Sequence, residues 1–335
     1  MFKKIVILFI CVFTVGATDR LFAQDPAFSQ FYANPLFLNP ALTGSTECGR
    51  INLNYRNQWP SLSNAFVTYS ASYDQSLPGI NSGIGLMFMN DQQGDGAYNR
   101  TSVGGFYAYN LKVSDPVVIS FGVKGAYYQE KLDWNKFIFA DQINPTTGTI
   151  DPSSSETPPA KNSVTAIDFG AGLMMGYLDK LFVGVNADHL TEPNLSFYNN
   201  SDNKMPMKIT AHAGTLINAT EGTLGGYYDG DIMLQPNILY QQQGKFQQLN
   251  FGLYVNKYPF VAGAWFRHNF DNADAAIILL GLTWDNFRFG YSYDFTLSKL
   301  GGASGGAHEI SFAWEFCVYK EPKRRTIRAI SSPSF

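Results

Sequence analysis

Side chains alternate between polar and apolar at every second position through most of this chain, and that period confines it to β-strands. In the last such stretch Ile310, Phe312, Trp314, Phe316 and Val318 share one parity, while Glu309, Ser311, Ala313, Glu315 and Cys317 share the other. Successive residues of a strand point to opposite faces, so one face is apolar and aromatic and the other carries the charges. The preceding stretch repeats the design: Phe287, Phe289, Tyr291, Tyr293 and Phe295 alternate with Arg288, Gly290, Ser292 and Asp294. Near the start, Ile51, Leu53 and Tyr55 alternate with Asn52, Asn54 and Arg56. After Gln24 the longest apolar runs, such as Ala275–Leu282, have about eight residues, far short of the ~20 that a membrane-crossing helix needs.

A soluble β-sandwich produces the same alternation. Two features favour a transmembrane barrel instead. The stretches are about 9–12 residues long, which suits a tilted strand crossing a bilayer. The apolar faces are also rich in rings, as expected of aromatic girdles at both interfaces: the 335 residues include 27 Phe and 19 Tyr. Charged residues make up only 15%, against about 25% in soluble domains. A formal net charge of -3 gives no electrostatic reason to expect nucleic acid as a partner.

Punctuation by Gly, Pro and polar residues separates about fourteen antiparallel strands, near 50–57, 65–75, 81–90, 99–111, 117–129, 164–177, 181–189, 206–216, 231–241, 247–256, 259–268, 274–284, 286–295 and 307–319. The connections sort by parity. Those at 91–98, 130–163, 190–205 and 296–306 are long, while 76–80, 112–116, 178–180, 256–258 and 285 are tight, with 217–230 a longer exception. Outer-membrane barrels keep short turns in the periplasm and long loops outside, so the first strand starts from the periplasm. An even strand count then places both the N-terminal segment and the C-terminal tail in the periplasm.

Four regions follow. Residues 1–23 read as a signal peptide, with Lys3 and Lys4 before the apolar run Ile5–Ala17 and a plausible cleavage after Ala23. Residues 24–49 form a non-strand segment that either plugs the lumen or docks a partner. Phe28, Phe31, Tyr32, Leu36 and Phe37 are too apolar to be left in water, since burying such a side chain stabilises by about 1.5–3 kcal/mol. Residues 50–319 form the barrel. Residues 320–335 form a basic tail, with Lys320, Lys323, Arg324, Arg325 and Arg328, that either docks a periplasmic partner or frays. Phe28, Phe31, Tyr32, Phe37, Lys323, Arg324 and Arg325 are the candidate partner contacts.

Barrel closure makes the first and last strands neighbours. Cys48 and Cys317 then meet at the periplasmic end, in an oxidising compartment, either as a disulfide or as two unpaired thiols. Lys124, Arg288, Asp294, Glu309 and Glu315 take the lumen parity, where they either line a pore or pair inside a filled barrel. No catalytic constellation stands out. His308 and Ser311 fall on opposite faces of their strand, and none of the four His sits in a metal-ligand spacing, so neither an enzyme nor a cofactor or metal site is expected.

The segment Gln24–Gly44, QDPAFSQFYANPLFLNPALTG, resembles the opening signature of the PorP/SprF family. Tyr55–Pro60 (YRNQWP), Ser72–Ser76 (SYDQS), Gly83-Ile84-Gly85 with Asp91 and Gly94, Gly290–Ser298 (GYSYDFTLS) and Gly306–Ser311 (GAHEIS) continue the likeness along the chain. The ending Ser331–Phe335 is similar too, with Ser332 where the family commonly has Cys. The resemblance implies an outer-membrane component of the type IX secretion system of Bacteroidota. It implies periplasmic ring or lipoprotein partners of the PorE, PorK and PorN kind, a link in some members to gliding, and possible service to one large surface adhesin. The expected function is structural and docking; the alternative is a passive porin or hydrophobic-solute channel.

Overall fold

The computed structural model describes residues 24–317 apart from 63–64, 115, 178–179, 200, 225–229, 271 and 298–303. The expected signal peptide and the tail residues Lys323, Arg324 and Arg325 lie outside the described residues.

Fourteen long strands form the wall: β1 Gly49–Gln58, β2 Phe66–Leu77, β3 Ser82–Gln93, β4 Tyr98–Ser114, β5 Val117–Leu132, β6 Ser163–Tyr177, β7 Leu181–Asp188, β8 Lys208–Thr215, β11 Met233–Gln243, β12 Phe246–Lys257, β13 Phe260–Asn269, β14 Asn272–Trp284, β15 Phe287–Thr296 and β16 Ala307–Phe316. Two dipeptide strands, β9 Ile217–Asn218 and β10 Thr223–Leu224, make a small ribbon beside the start of β11 within the long 217–230 connection. Each wall strand pairs antiparallel with its neighbours, β8 joins β11, and β1 joins β16 from Gly49↔Phe316 to Gln58↔Ala307. The ring is therefore closed, and no edge is left to offer unpaired backbone groups to lipid.

Faces follow the sequence parity. Leu86, Phe88, Val103, Val123, Ile167 and Leu280 point outward, each more than 40% exposed. Rings collect at the two rims: Phe260, Trp284 and Phe287 at the end where the chain enters β1, Tyr69, Tyr127 and Phe295 toward the other. Inward positions carry Asn52, Asn54, Ser70, Ser72, Asn186 and Thr210, all buried. The core of this molecule is the inside of the barrel.

The N-terminal segment runs through that inside as a strap. At one extreme Asp25 reaches Arg100, His189, Lys208 and Gln243, all at the end carrying the long loops. At the other, the Gly44 amide donates to Asp74 (2.8 Å), close to the Leu77–Ser82 turn. Placing the whole segment at the periplasmic end is therefore corrected. The strands β1 and β16 do begin and finish at one end, but the strap must travel the full barrel length before entering β1. Gln24 consequently lies at the long-loop end, opposite Cys48. The physical reason is the row of apolar rings, which find burial only along the lumen axis.

Cys48 and Cys317 are joined as a disulfide, with Cα atoms 4.6 Å apart, and staple the foot of the strap to the end of β16. Thiol labelling of the unfolded, unreduced mature protein checks this bond. No label is expected at either position, whereas two labels per chain would contradict it.

Candidate functional site: the filled lumen

The strap is built from single turns. A 3-10 turn covers Phe31–Ala33, one α-turn covers Pro35–Leu38 and a second 3-10 turn covers Pro40–Leu42. Pro35 and Pro40 stand at the first helical positions, where a missing amide proton costs nothing. Asn39 caps the last turn by accepting from the Ala41 amide at 2.9 Å. Its side-chain nitrogen donates to the Leu173 and Val185 carbonyls at 3.3 and 3.2 Å. One asparagine thus shapes the strap and bolts it to β6 and β7.

Three layers fix the strap along the axis. The outermost is a charge cluster. Asp25 Oδ2 lies 2.9 Å from His189 Nε2 and 3.4 Å from Lys208 Nζ, and Asp25 Oδ1 lies 3.4 Å from Arg100 Nη1. Arg100 also binds Glu130 (2.7 Å), His189 Nδ1 meets Asp168 (2.8 Å), and Lys124 pairs with Asp188. Four acids, Asp25, Glu130, Asp168 and Asp188, therefore face Arg100, Lys124, Lys208 and His189. The cluster is neutral only when His189 carries its proton. Burial opposes that charge, but the Asp25 carboxylate and hydrogen bonds to Asp168 and Asp25 outweigh it and raise the His189 pKa to about 9. Burial likewise opposes ionisation of Asp25, yet His189, Lys208 and Arg100 hold its carboxyl well below the usual range.

The second layer centres on Ser29 and Gln30. Glu309 accepts both backbone amides, at 2.7 and 3.0 Å. Arg56 bridges Glu309 (3.1 Å) and Asp294 (3.0 Å), and Arg267 also binds Asp294 (2.9 Å). The Ser29 hydroxyl donates to Asp294 (2.6 Å) and accepts from both arginines. The strap thus joins two arginines and two carboxylates into one network, with Arg56 Nε and Asp294 Oδ1 left unpartnered. Removing one member of such a buried network typically costs about 3–5 kcal/mol.

The third layer is apolar. Phe31 stacks edge-on against Trp265 (5.3 Å), and Tyr32 against Phe182 (5.9 Å). On the other side Phe28 and Leu36 pack with Met87, Met89 and Phe106. Near the foot the strap lies so close to the wall that a Cβ on Gly122 would overlap Pro40 and Ala41, and one on Gly172 would overlap Asn39. The mouth at the long-loop end is covered as well. The connection after β7 folds back as a small hairpin, with Asn194 bridged to Lys204, and its Leu195, Phe197 and Met205 bury against Tyr128 and Val164.

Each side chain singled out from the sequence, where it lies among the described residues, has a definite place. Phe28, Phe31 and Tyr32 are 2%, 5% and 4% exposed, enclosed by this chain's own wall, so no surface of theirs is free for a partner. That corrects their reading as partner contacts, because the lumen already buries them. Phe37 is half-buried, edge-on to Phe28 (5.2 Å), with the Lys208 ammonium 4.4 Å above its ring. Arg288 pairs with Glu315 at 2.7 Å near the disulfide end. Together with the pairs of Lys124, Asp294 and Glu309, this gives every singled-out lumen charge an opposite partner. His308 faces outward, against Tyr291 (2.8 Å), while Ser311 donates inward to Gln30 (2.5 Å). Sequence reasoning missed Asp25, Ser29, Gln30, Asn39, Arg56, Arg100, His189, Lys208 and Arg267. A usable signal was present in Gly83, Gly122 and Gly172, glycines at lumen parity where a close approach from inside is the simplest need.

Some inward polar atoms stay unpartnered all round the wall, Asn54 Oδ1 on β1 and Asn186 Oδ1 on β7 among them. On β8, β11 and β12, His212 Nδ1, Gln235 Oε1, Asn237 Oδ1 and Asn250 Nδ2 are likewise buried without a hydrogen-bond partner among the described residues. Each such atom costs about 1–3 kcal/mol.

Comparison with known proteins agrees with this architecture. A family model described as type IX secretion system membrane protein PorP/SprF matches residues 21–314. Among curated protein sequences nothing matches. Among solved structures, the toluene transporter TbuX of Ralstonia pickettii is similar at 13% identity and a TM-score of 0.50, over 84% of this chain and 93% of that one. The toluene transporter TodX of Pseudomonas putida is similar at 9% identity and a TM-score of 0.49, over the same 84% and 93%. At such identity the likeness to TbuX speaks to an outer-membrane barrel fold and to nothing finer.

Two outcomes follow. Gly122→Val should push the foot of the strap off the wall, destabilising the barrel by about 1–3 kcal/mol and opening residues 24–48 to protease. Gly105→Val, where a Cβ would meet nothing within 4 Å, is the neutral control. His189 has a raised pKa, so its contribution is complete below its unfolded value near 6.5 and is lost as pH rises through about 9. Unfolding midpoints between pH 6 and 10 should fall for the wild type and stay flatter for His189→Gln.

Proposed function

The chain belongs to the PorP/SprF family of type IX secretion system membrane proteins, and from that premise we propose that it serves as a structural and docking barrel of that machinery. The observation that carries this reading is the strap. It touches β1, β2 and β16 on one side, through Asn54, Ser70 and Glu309, and β6, β7 and β8 on the other, through Leu173, Asn186 and His212. A lumen crossed by contacts on opposite walls and roofed by the Leu195–Met205 hairpin is built to be stable and closed, not to pass solute. What remains for partners is the rims and the tail.

In this reading the first 23 residues direct export, the short turns face the periplasm, and Cys317 delivers the basic tail into that compartment. Lys323, Arg324 and Arg325 then offer a cationic strip to a ring or lipoprotein partner of the PorE, PorK or PorN kind. Lipid surrounds the outward face. The long loops, which start from β5 and β7, stand on the cell surface, where a large adhesin could be held, and gliding is one process such anchoring would serve. No enzymatic step and no cofactor is assigned to the barrel.

The second reading, a passive channel for hydrophobic or general solutes, draws on the likeness to the toluene transporter TbuX. Two measurements separate them. Purified protein in a planar bilayer should be electrically silent; steady, open, nanosiemens-scale conductance would favour the channel. Deletion should lower the amount of exported protein bearing the type IX C-terminal signal, and unchanged export and surface adhesins would refute the secretion role.

A further inference from the structure

The two ends of the strap are held by different chemistry. At the foot the bond is covalent, through Cys48–Cys317, and Gly44 is wedged against β2 and β3. At the top it is ionic, through Asp25. The His189 that binds Asp25 is the first residue after β7, and it stands at the root of the hairpin that covers the mouth. Its backbone is left-handed, with φ of 58°, which turns the chain off the wall. Thr191, two residues into the same hairpin, donates to Asp168, which also binds His189. Strap, hairpin and wall are thus tied at one point by residues 164 and 183 positions apart in the chain.

We propose that this point is a latch: Asp25, His189 and Lys208 hold the strap and the covering hairpin shut together. Breaking it leaves the Ser29 and Gln30 network as the remaining hold on the outer half of the strap, so strap and hairpin leave the outer lumen more often while the foot stays pinned at Cys48. The barrel is then a gated structure with one releasable end. Covalent attachment at the foot fixes the hinge, and clustering of the three residues at the mouth fixes the place of release. The unpaired atoms of His212, Gln235, Asn237 and Asn250 point the same way. Displacement of the strap would hydrate these groups, which the closed state leaves unpartnered. The lane uncovered is lined by polar groups, among them Asn237, Asn250, Lys208 and Arg267, and would conduct small ions.

This inference rests on the closed lumen argued under Proposed function, and the test keeps the two apart. Asp25→Cys with Gln243→Cys removes the latch carboxylate and puts two thiols where the Asp25 amide now donates to Gln243 at 2.9 Å. In planar bilayers the oxidised double variant should be silent, and mild reduction should raise its open probability about tenfold or more, the change that loss of one charge-assisted hydrogen bond can produce. The wild type should stay silent under the same reductant. Heat-modifiable migration in detergent gels reports whether each barrel is folded. Where the double variant does not fold, His189→Gln replaces it, with the same rise expected without reductant. Folded variants that remain silent would overturn the latch and leave the plugged barrel standing. A wild type opened by reductant alone would overturn it by moving the release point to the foot. A wild type that conducts steadily from the start would refute the closed lumen itself.

Discussion

Hydrogen bonding inside a closed ring of strands governs everything else in this molecule. Lipid can satisfy no backbone group, so the sheet must close on itself, as β1 and β16 make it do. Closure then turns one face of every strand inward. Fourteen strands enclose more space than their own inward side chains fill here, and those side chains include Arg50, Arg56, Arg100 and Arg267, all nearly inaccessible to solvent. Wall carboxylates answer part of that charge. The rest of the hydrogen-bonding demand is met by a strap whose amides, hydroxyls and one carboxylate end each network. Glu309 shows the logic: buried on β16, it binds Arg56 with one oxygen and takes two strap amides across both.

The strap is therefore as much a part of the core as the wall is. Its rings provide the apolar interior that a sandwich would obtain from a second sheet, and its Asn39 bonds to wall carbonyls that face inward. The glycines of the wall are the other half of that fit, since Gly122 and Gly172 leave room where the strap comes closest. A barrel arranged this way has its functional surfaces at the rims, and its one adjustable element is the end of the strap held by charge.

Much of the wall was legible because period two acts locally. Each stretch of ten residues declares its lipid face without reference to any other, and the loop-length parity declares which ends share a side. Glu309 and Ser311 could be assigned inward from their neighbours alone. Which inward residue meets which could not be read, because those pairs are fixed by the ring and not by the chain. Ser311 meets Gln30 across 281 positions, and His189 meets Asp25 across 164. The strap's direction was hidden for the same reason. Its rings announced burial, and nothing local announced that Gln24 would lie at the opposite end from Cys48. Cys48 and Cys317 were the exception: closure of the ring placed them side by side, while whether they bond was left open by the sequence.

The central claim is that residues 24–44 cross the inside of the barrel. Asn34 and Ser70 give the most direct access to it, because the Asn34 side chain donates to the Ser70 hydroxyl at 3.0 Å in the middle of the lumen. Mass mapping of an oxidised Asn34→Cys, Ser70→Cys variant, extracted folded from the outer membrane, should find the 34–70 peptides joined. Free thiols at both positions in a folded barrel would place the strap elsewhere and contradict the account.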